Sequence, residues 1–268
     1  MINIGSKKYK ICLLDTNVIS NGLKNETPIF KQIIKRFPFS HYCWALTPST
    51  VSELSNLTSY RNKLSKLLAL FPNIVTKGLK ELKQEEIKSY NTVKPVNFSL
   101  FSFNELRDNG KVLNPKAVEK FFINNELQKI ISNLDSKEHQ LLDLLLSYKF
   151  NFPPNQNGKY SKSRIFEFTE IIINRIINED HSDFYRKNKP LNIRHFKSIL
   201  ISSLFTFYKF YPDKRKALLS DINDITISGI FPYVDVYIGE SNMVEIVKKI
   251  RNLDSKLLSL EAIPINKL

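Results

Sequence analysis

Acidic side chains stand at the ends of predicted strands or on the helices next to them. Asp15 ends the apolar run of residues 11–14, and Glu53 lies near the start of a predicted helix. Towards the carboxyl end, the acidic candidates are Asp221, Asp224, Asp235 and Glu240. Carboxylates that a fold gathers together repel and raise one another's pKa unless a cation lies between them. Their placement therefore predicts a site for a divalent cation.

The chemistry of such a site follows from its ligands. Hard oxygen ligands without His or Cys favour Mg²⁺ or Mn²⁺ over zinc. These ions activate a water molecule and stabilise the charge that develops on a phosphodiester during in-line displacement. Thr16, Asn17 and Ser20 follow Asp15, and short polar side chains of this kind cap a helix or hold a carboxylate.

The elements that would position these side chains indicate an α/β fold. Residues 10–14 have the short, continuous hydrophobicity of a strand in the middle of a parallel sheet. Asp15 falls at the carboxyl end of this strand, where open α/β sheets bind ligands. A second strand over 41–46 leads to Pro48, which favours a helix start. Glu53, in the first turns of that helix, should overhang the same edge of the sheet. Further strands are predicted over 73–76, 234–238 and 257–263, and helices over 28–37, 60–70, 79–90, 115–134, 136–150, 162–187, 191–211, 217–230 and 242–251.

Three segments resemble the motifs of PIN-domain nucleases. Leu14-Asp15-Thr16-Asn17-Val18-Ile19 resembles the opening motif, in which the first metal-binding aspartate ends the first strand. Residues 48–54, Pro-Ser-Thr-Val-Ser-Glu-Leu, resemble the second motif, a helix that carries a glutamate. The segment 224–240 is similar to the third and fourth motifs of a branch with a Pro-Tyr-x-Asp strand. The matching parts are residues 8–70 and 218–265.

The resemblance implies a three-layer α/β/α fold around a central, mainly parallel sheet. The nuclease-like domain would be discontinuous, over residues 1–75 and 212–268, and an α-helical insertion over 76–211 would split it. The implied catalytic residues are Asp15, Glu53, Asp224 and Asp235, with Glu240 as a further metal ligand. Asn17 and Ser20 would position the substrate, and Asp221 and Thr16 rank lower. Glu240 stands where the family usually has an aspartate, so its arm is longer.

The implied function is that of a metal-dependent endoribonuclease acting on single-stranded RNA, or less readily on single-stranded DNA. The alternative is an eroded PIN-like module that binds RNA or a protein partner. A Rossmann or P-loop enzyme is disfavoured because no glycine-rich loop follows the first strand. A haloacid-dehalogenase-like phosphatase is disfavoured because Asn17 replaces its second aspartate. Toxin, phage-defence and RNA-processing roles remain open, as do a homodimer and an antitoxin partner.

Composition adds a charge argument. The chain has 40 Lys and Arg against 26 Asp and Glu, a formal net charge of +14, which favours a polyanionic partner such as nucleic acid. The residue bias of the chain weakens this inference, because its lysine excess can reflect background composition. Neither a secretory signal nor an apolar run of membrane-spanning length is recognisable. We therefore expect a cytoplasmic protein without a membrane partner. The aromatic run 204–211 could stack on single-stranded bases or form core, and core is favoured.

Overall fold

The computed structural model describes residues 1–25, 28–56, 58–92, 94–104, 107–108, 111–112, 118–119, 122, 152, 154, 158–211, 218 and 220–268. The strands are β1 (Ile2–Ile4), β2 (Lys7–Leu14), β3 (Tyr42–Leu46), β4 (Asn73–Thr76), β5 (Ser99–Phe101), β6 (Arg107–Asp108), β7 (Lys111–Val112), β8 (Val236–Gly239) and β9 (Glu261–Pro264). The α-helices are α1 (Thr16–Asn25), α2 (Pro28–Arg36), α3 (Pro48–Asn56), α4 (Thr58–Leu70), α5 (Leu79–Ser89), α6 (Lys162–Asp180), α7 (Ser182–Asn188), α8 (Lys197–Phe210), α9 (Ser220–Ser228) and α10 (Ser241–Leu253).

The main sheet has the strand order β5-β4-β3-β2-β8-β9, and β1 pairs with β2 outside this path. The pairs β2 with β3, β2 with β8, β3 with β4, and β8 with β9 are parallel. The chain moves outward from β2 to β4 and later returns to the other side of β2 as β8. The strand order therefore reverses between β2 and β8. In open α/β sheets, the carboxyl ends of the strands at such a reversal form the ligand-binding crevice.

Helices cover both faces of this sheet. Successive residues of β2 point to opposite faces, so Cys12 and Leu14 pack with α1 to α4, whereas Ile11 and Leu13 pack with α5, α6, α8, α9 and α10. These four side chains are at most 1% exposed, as expected for a central strand of a mostly parallel sheet. The predicted α/β class with a mainly parallel central sheet is confirmed.

The middle of the chain shares the core of the sheet. Leu82 of α5, Ile173 of α6 and Phe205 of α8 belong to the same buried cluster as Leu13 and Tyr237. Strand β5 extends the sheet by pairing antiparallel with β4. The proposed division into residues 1–75 with 212–268 and an insertion over 76–211 stays a prediction, but α5, β5, α6 and α8 do not form a core separate from the sheet.

Several predicted helix boundaries differ from those in the structure. The predicted helix 191–211 begins only at Lys197, after a 3₁₀ turn, and the predicted helix 162–187 is two helices separated at His181. The aromatic run is core, since Phe205, Phe207 and Phe210 are at most 3% exposed. The predicted helices 115–134 and 136–150 lie outside the described residues, except for 118, 119 and 122. Within the part of the chain that the structure describes, no helix has the length and apolarity needed to cross a membrane.

Candidate metal-binding cleft

A polar cleft of about 250 Å³ opens at the carboxyl ends of β2 and β8. We call it the acidic cleft. Four of its carboxylates are the predicted Asp15, Glu53, Asp224 and Glu240. The other residues that line it are Thr16, Asn17, Lys209, Asp221, Asn223, Ile227 and Asn242. Side chains from five helices and from the ends of β2 and β8 thus meet where the strand order reverses.

Asp15 lies at the floor of the acidic cleft and is only 7% exposed. Its carbonyl accepts hydrogen bonds from the N–H groups of Val18 and Ile19 and so begins α1. Its side-chain Oδ2 accepts a hydrogen bond of 2.9 Å from the Tyr237 hydroxyl. Burial raises the pKa of Asp15 and the charges of Asp224 and Glu240 add to this, whereas the hydrogen bond from Tyr237 opposes it.

Tyr237 reaches Asp15 across a position that only glycine can occupy. The Tyr237 side chain is fully buried in the middle of β8. A Cβ at Gly239 would overlap the Tyr237 hydroxyl and ring. The glycine at the end of β8 therefore leaves space for the hydroxyl group that holds Asp15.

A chain of threonine hydroxyls fixes the helix that carries Glu53. Thr47 accepts a hydrogen bond of 3.1 Å from the N–H of Thr50, which caps the start of α3. The Thr50 hydroxyl lies 2.9 Å from the Thr16 hydroxyl at the start of α1. The first turns of α1 and α3 are therefore joined, and Glu53 is held on the same side of the sheet edge as Asp15.

Glu53 extends from α3 into the acidic cleft. Its Oε1 accepts a hydrogen bond of 3.3 Å from Asn223 of α9. Desolvation raises its pKa, a hydrogen bond from Thr16 opposes the change, and the charges of Asp15 and Asp224 raise it further. Glu53 thus experiences the same group of like charges as Asp15.

Asp224 and Asp221 share a lysine that the sequence interpretation did not include. Lys209, near the end of α8, is 5% exposed, and its Nζ lies 2.9 Å from Asp221 Oδ1. The same ammonium group forms an ion pair with Asp224 Oδ2. Burial raises the pKa of Asp224 and Lys209 opposes the change. Asp221 is 1% exposed and also accepts a hydrogen bond of 2.8 Å from the Leu218 N–H.

Glu240 occupies the rim of the acidic cleft at the start of α10. Its Oε1 accepts a hydrogen bond from the Asn17 amide. Its side chain makes no cap hydrogen bond to α10, so it remains available to the cleft. Ser20, the other predicted positioning residue, lies on α1 and is not among the side chains that line the cleft.

The structure corrects the predicted place of Asp235. This residue precedes β8, and its Oδ2 accepts a hydrogen bond of 2.8 Å from the Ile11 N–H. Five residues of extended chain at about 3.3 Å each separate it from Glu240 by roughly 16 Å. The error came from carrying over the aspartate of the Pro-Tyr-x-Asp motif, although this residue stands at the start of its strand and a parallel strand has opposite ends. Asp235 therefore does not join the other carboxylates.

The carboxylates of the acidic cleft have the right chemistry for a hard divalent cation but a wide spacing. Within the described ranges, no three His, Cys, Asp or Glu side chains are close enough to hold a metal ion together. Mg²⁺ usually keeps several waters and binds through one or two carboxylates plus substrate phosphates. Asp15, whose pKa is raised further by the charges of Asp224 and Glu240, and the exposed Glu53 and Glu240 fit that mode of binding.

Two residues that the sequence interpretation missed complete the site. A tyrosine inside an apolar strand needs a partner for its hydroxyl, and this signal could have pointed to Tyr237. Lys209 lies among the aromatic residues of α8 and gave no such signal, because only tertiary packing brings it to Asp221 and Asp224.

Comparisons with protein-family models, with curated proteins and with solved structures find no match for this chain. The function is therefore argued from the residues and geometry of the acidic cleft.

Proposed function

We propose that this protein is a divalent-metal-dependent nuclease of the PIN-like type that hydrolyses single-stranded RNA with Mg²⁺ or Mn²⁺. One observation carries the proposal. Asp15, Glu53, Asp224 and Glu240 meet in one cleft at the carboxyl edge of the sheet, and burial, with a further contribution from neighbouring carboxylates, raises the pKa of the first three. Repulsion between these carboxylates costs free energy, and a bound cation would relieve it.

The residues of the acidic cleft would have different roles. Asp15 would bind the cation directly, Glu53 and Glu240 would contact it through its water ligands, and Tyr237 fixes the orientation of the Asp15 carboxylate. Asn17 and Asn223 offer amide donors at the mouth, where they would orient a phosphate. Lys209 neutralises part of the charge of Asp221 and Asp224. A bound divalent cation would supply an activated water and stabilise the charge on the phosphodiester.

The formal charge of +14 supports a polyanionic substrate. The acidic cleft itself repels phosphate, so a bound cation would be needed before an RNA strand could enter. A cytoplasmic location is part of the same proposal.

Cleavage of end-labelled single-stranded RNA tests this function. Wild-type protein should cleave only with Mg²⁺ or Mn²⁺, and Asp15→Asn should lower the rate by at least about a hundredfold. Asp235→Asn is the matched control, because it removes one carboxylate at the other end of β8, and it should retain the wild-type rate. Equal cleavage by Asp15→Asn and wild type would contradict the proposal.

The ion pairs of Lys209 favour a second candidate, a module that binds RNA or a protein without cleaving RNA. Lys209 already offsets charge that a catalytic cation would otherwise balance. This module would bind labelled RNA without divalent cations, and Asp15→Asn would not weaken the binding. The nuclease should instead lose cation-dependent RNA binding in the same variant.

A further inference from the structure

A second cavity of about 250 Å³ lies at the opposite end of α8 from the acidic cleft. We call it the basic cavity. Arg194, Lys197 and Lys256 line its rim, and Leu200, Ile201 and Leu257 contribute apolar surface. Lys197 begins α8 and Lys209 lies near its end, so at 1.5 Å per residue the two cavities are about 18 Å apart along the helix.

The basic cavity carries more positive charge than its neighbours balance. Arg194 forms an ion pair of 2.9 Å with Asp254. The Lys256 N–H and then the Arg194 side chain lower the pKa of Asp254, and Lys162 also contributes. Lys197 and Lys256 form no ion pair with any acidic residue of the described ranges.

The other nearby carboxyl group is already satisfied. Glu86 of α5 lies behind the first turn of α8 and is fully buried. Its oxygens accept hydrogen bonds from the N–H and hydroxyl of Ser198 at 2.6 and 2.7 Å and from the Tyr233 hydroxyl. Glu86 is therefore turned towards the core. Burial raises the pKa of Glu86 and the charge of Lys197 opposes this change, but the two form no ion pair among the described residues, so the ammonium groups of Lys197 and Lys256 remain available to the cavity.

We propose that the basic cavity binds a small organic phosphate, such as a nucleoside monophosphate. Lysine and arginine hold phosphate through charge-assisted hydrogen bonds. The apolar surface of Leu200, Ile201 and Leu257 would contact the organic part of the ligand, as in most small-molecule sites. This proposal does not depend on the nuclease activity.

Isothermal titration of the full-length protein with adenosine monophosphate tests the assignment, at fixed ionic strength and without divalent cations. Wild type should bind the nucleotide, and Lys197→Met with Lys256→Met should weaken binding by at least about tenfold. Both lysines are exposed, so the double variant should fold. Lys249→Met, which removes an exposed lysine of α10, should bind like wild type.

Inorganic phosphate and a short RNA, used as further ligands, distinguish which kind of phosphate compound the cavity binds. Leu257→Ala should weaken binding of adenosine monophosphate but not of inorganic phosphate, because only the nucleotide has an organic part. Equal nucleotide affinity of the double variant and wild type would overturn the proposal, as would no binding to wild type. Binding of a short RNA that is lost in the double variant, without binding of the mononucleotide, would also overturn it.

Discussion

The two edges of the sheet have opposite chemistry although the same elements reach both. At the carboxyl edge, Asp15 and Glu240 follow β2 and β8 and face other carboxylates. At the amino edge, Asp235 precedes β8 and accepts a backbone hydrogen bond from Ile11, and Pro232 and Lys256, which precede β8 and β9, line the basic cavity. In a parallel sheet, a residue that precedes a strand lies at the amino edge, and a residue that follows the strand lies at the carboxyl edge.

Each edge also contains a buried carboxyl group that pairs with a tyrosine. Asp15 accepts from Tyr237 and faces Asp224 and Glu240, whereas Glu86 accepts from Tyr233 and Ser198 and is closed off from solvent. The first group is open to a ligand and the second is structural. A raised pKa alone therefore does not mark a functional carboxylate; its access and its neighbours do.

The largest expected loss of stability is that of a substitution at Lys209 in the acidic cleft. Lys209→Met leaves buried Asp221 and partly buried Asp224 without their cation, and loss of one partner of a buried ion pair costs about 3–5 kcal/mol. Urea denaturation would measure the loss in the free energy of unfolding. Adding Asp221→Asn should restore part of it, and the exposed-site control Lys248→Met should stay within about 0.5 kcal/mol of wild type.

The structural carboxyl group should make stability depend on pH. Burial raises the pKa of Glu86 from 4.5 to about 7 despite its hydrogen bonds. The folded state then holds the proton more tightly than the unfolded state. The stability that protonated Glu86 contributes is therefore fully present below pH 4.5 and is lost as the pH rises through 7. The loss amounts to about 3 kcal/mol.

Glu86→Gln removes the titrating group, so comparing the pH dependence of stability in this variant and in wild type isolates the contribution of Glu86. The stability difference between the variant and wild type should shift in favour of the variant between about pH 4.5 and pH 7. Denaturation curves at several pH values would measure this difference. Parallel pH profiles for both proteins would contradict a raised pKa of Glu86 in the folded state.

A smaller effect is expected for the hydroxyl group that holds Asp15. Tyr237→Phe removes the donor of the 2.9 Å hydrogen bond and leaves a buried carboxylate less satisfied, which should cost about 1–2 kcal/mol. Thermal unfolding would report this change. Tyr185→Phe, in partly buried surroundings on α7, should leave the midpoint unchanged, and equal midpoints for all three proteins would contradict the role of Tyr237.

The smallest expected change in stability is that of a substitution at Glu240, on the rim of the acidic cleft. Glu240→Gln removes a charge that raises the pKa of Asp15 and Asp224, so without divalent cations it should stabilise the protein by less than about 0.5 kcal/mol. The gain should shrink as NaCl is added, because salt screens exposed charges. Glu245→Gln on the same helix should show no such gain. Destabilisation by Glu240→Gln would contradict the repulsion.

The sequence was sufficient to predict the parts of the site that depend on local order along the chain. Asp15 and Glu53 follow strand ends, and a buried apolar run or a proline marks these positions. Asp235 was misplaced because the resemblance grouped it with the other acidic residues, although it stands at the start of the predicted strand 234–238. Lys209 could not be predicted, since its partners lie beyond the end of α8 and meet it only through packing. The edge strand β5 lacked a strong pattern for the same reason: it is three residues long and depends on β4.

The central claim is that the carboxylates of the acidic cleft jointly bind a divalent cation. Thermal unfolding during a titration with MnCl₂ tests it most directly, for wild type, Asp15→Asn and Asp235→Asn. The account predicts that Mn²⁺ stabilises wild type and Asp235→Asn, by about 2.7 kcal/mol at a hundred times the dissociation constant, and that Asp15→Asn loses most of this gain. No stabilisation of wild type, or equal stabilisation of Asp15→Asn, would contradict it.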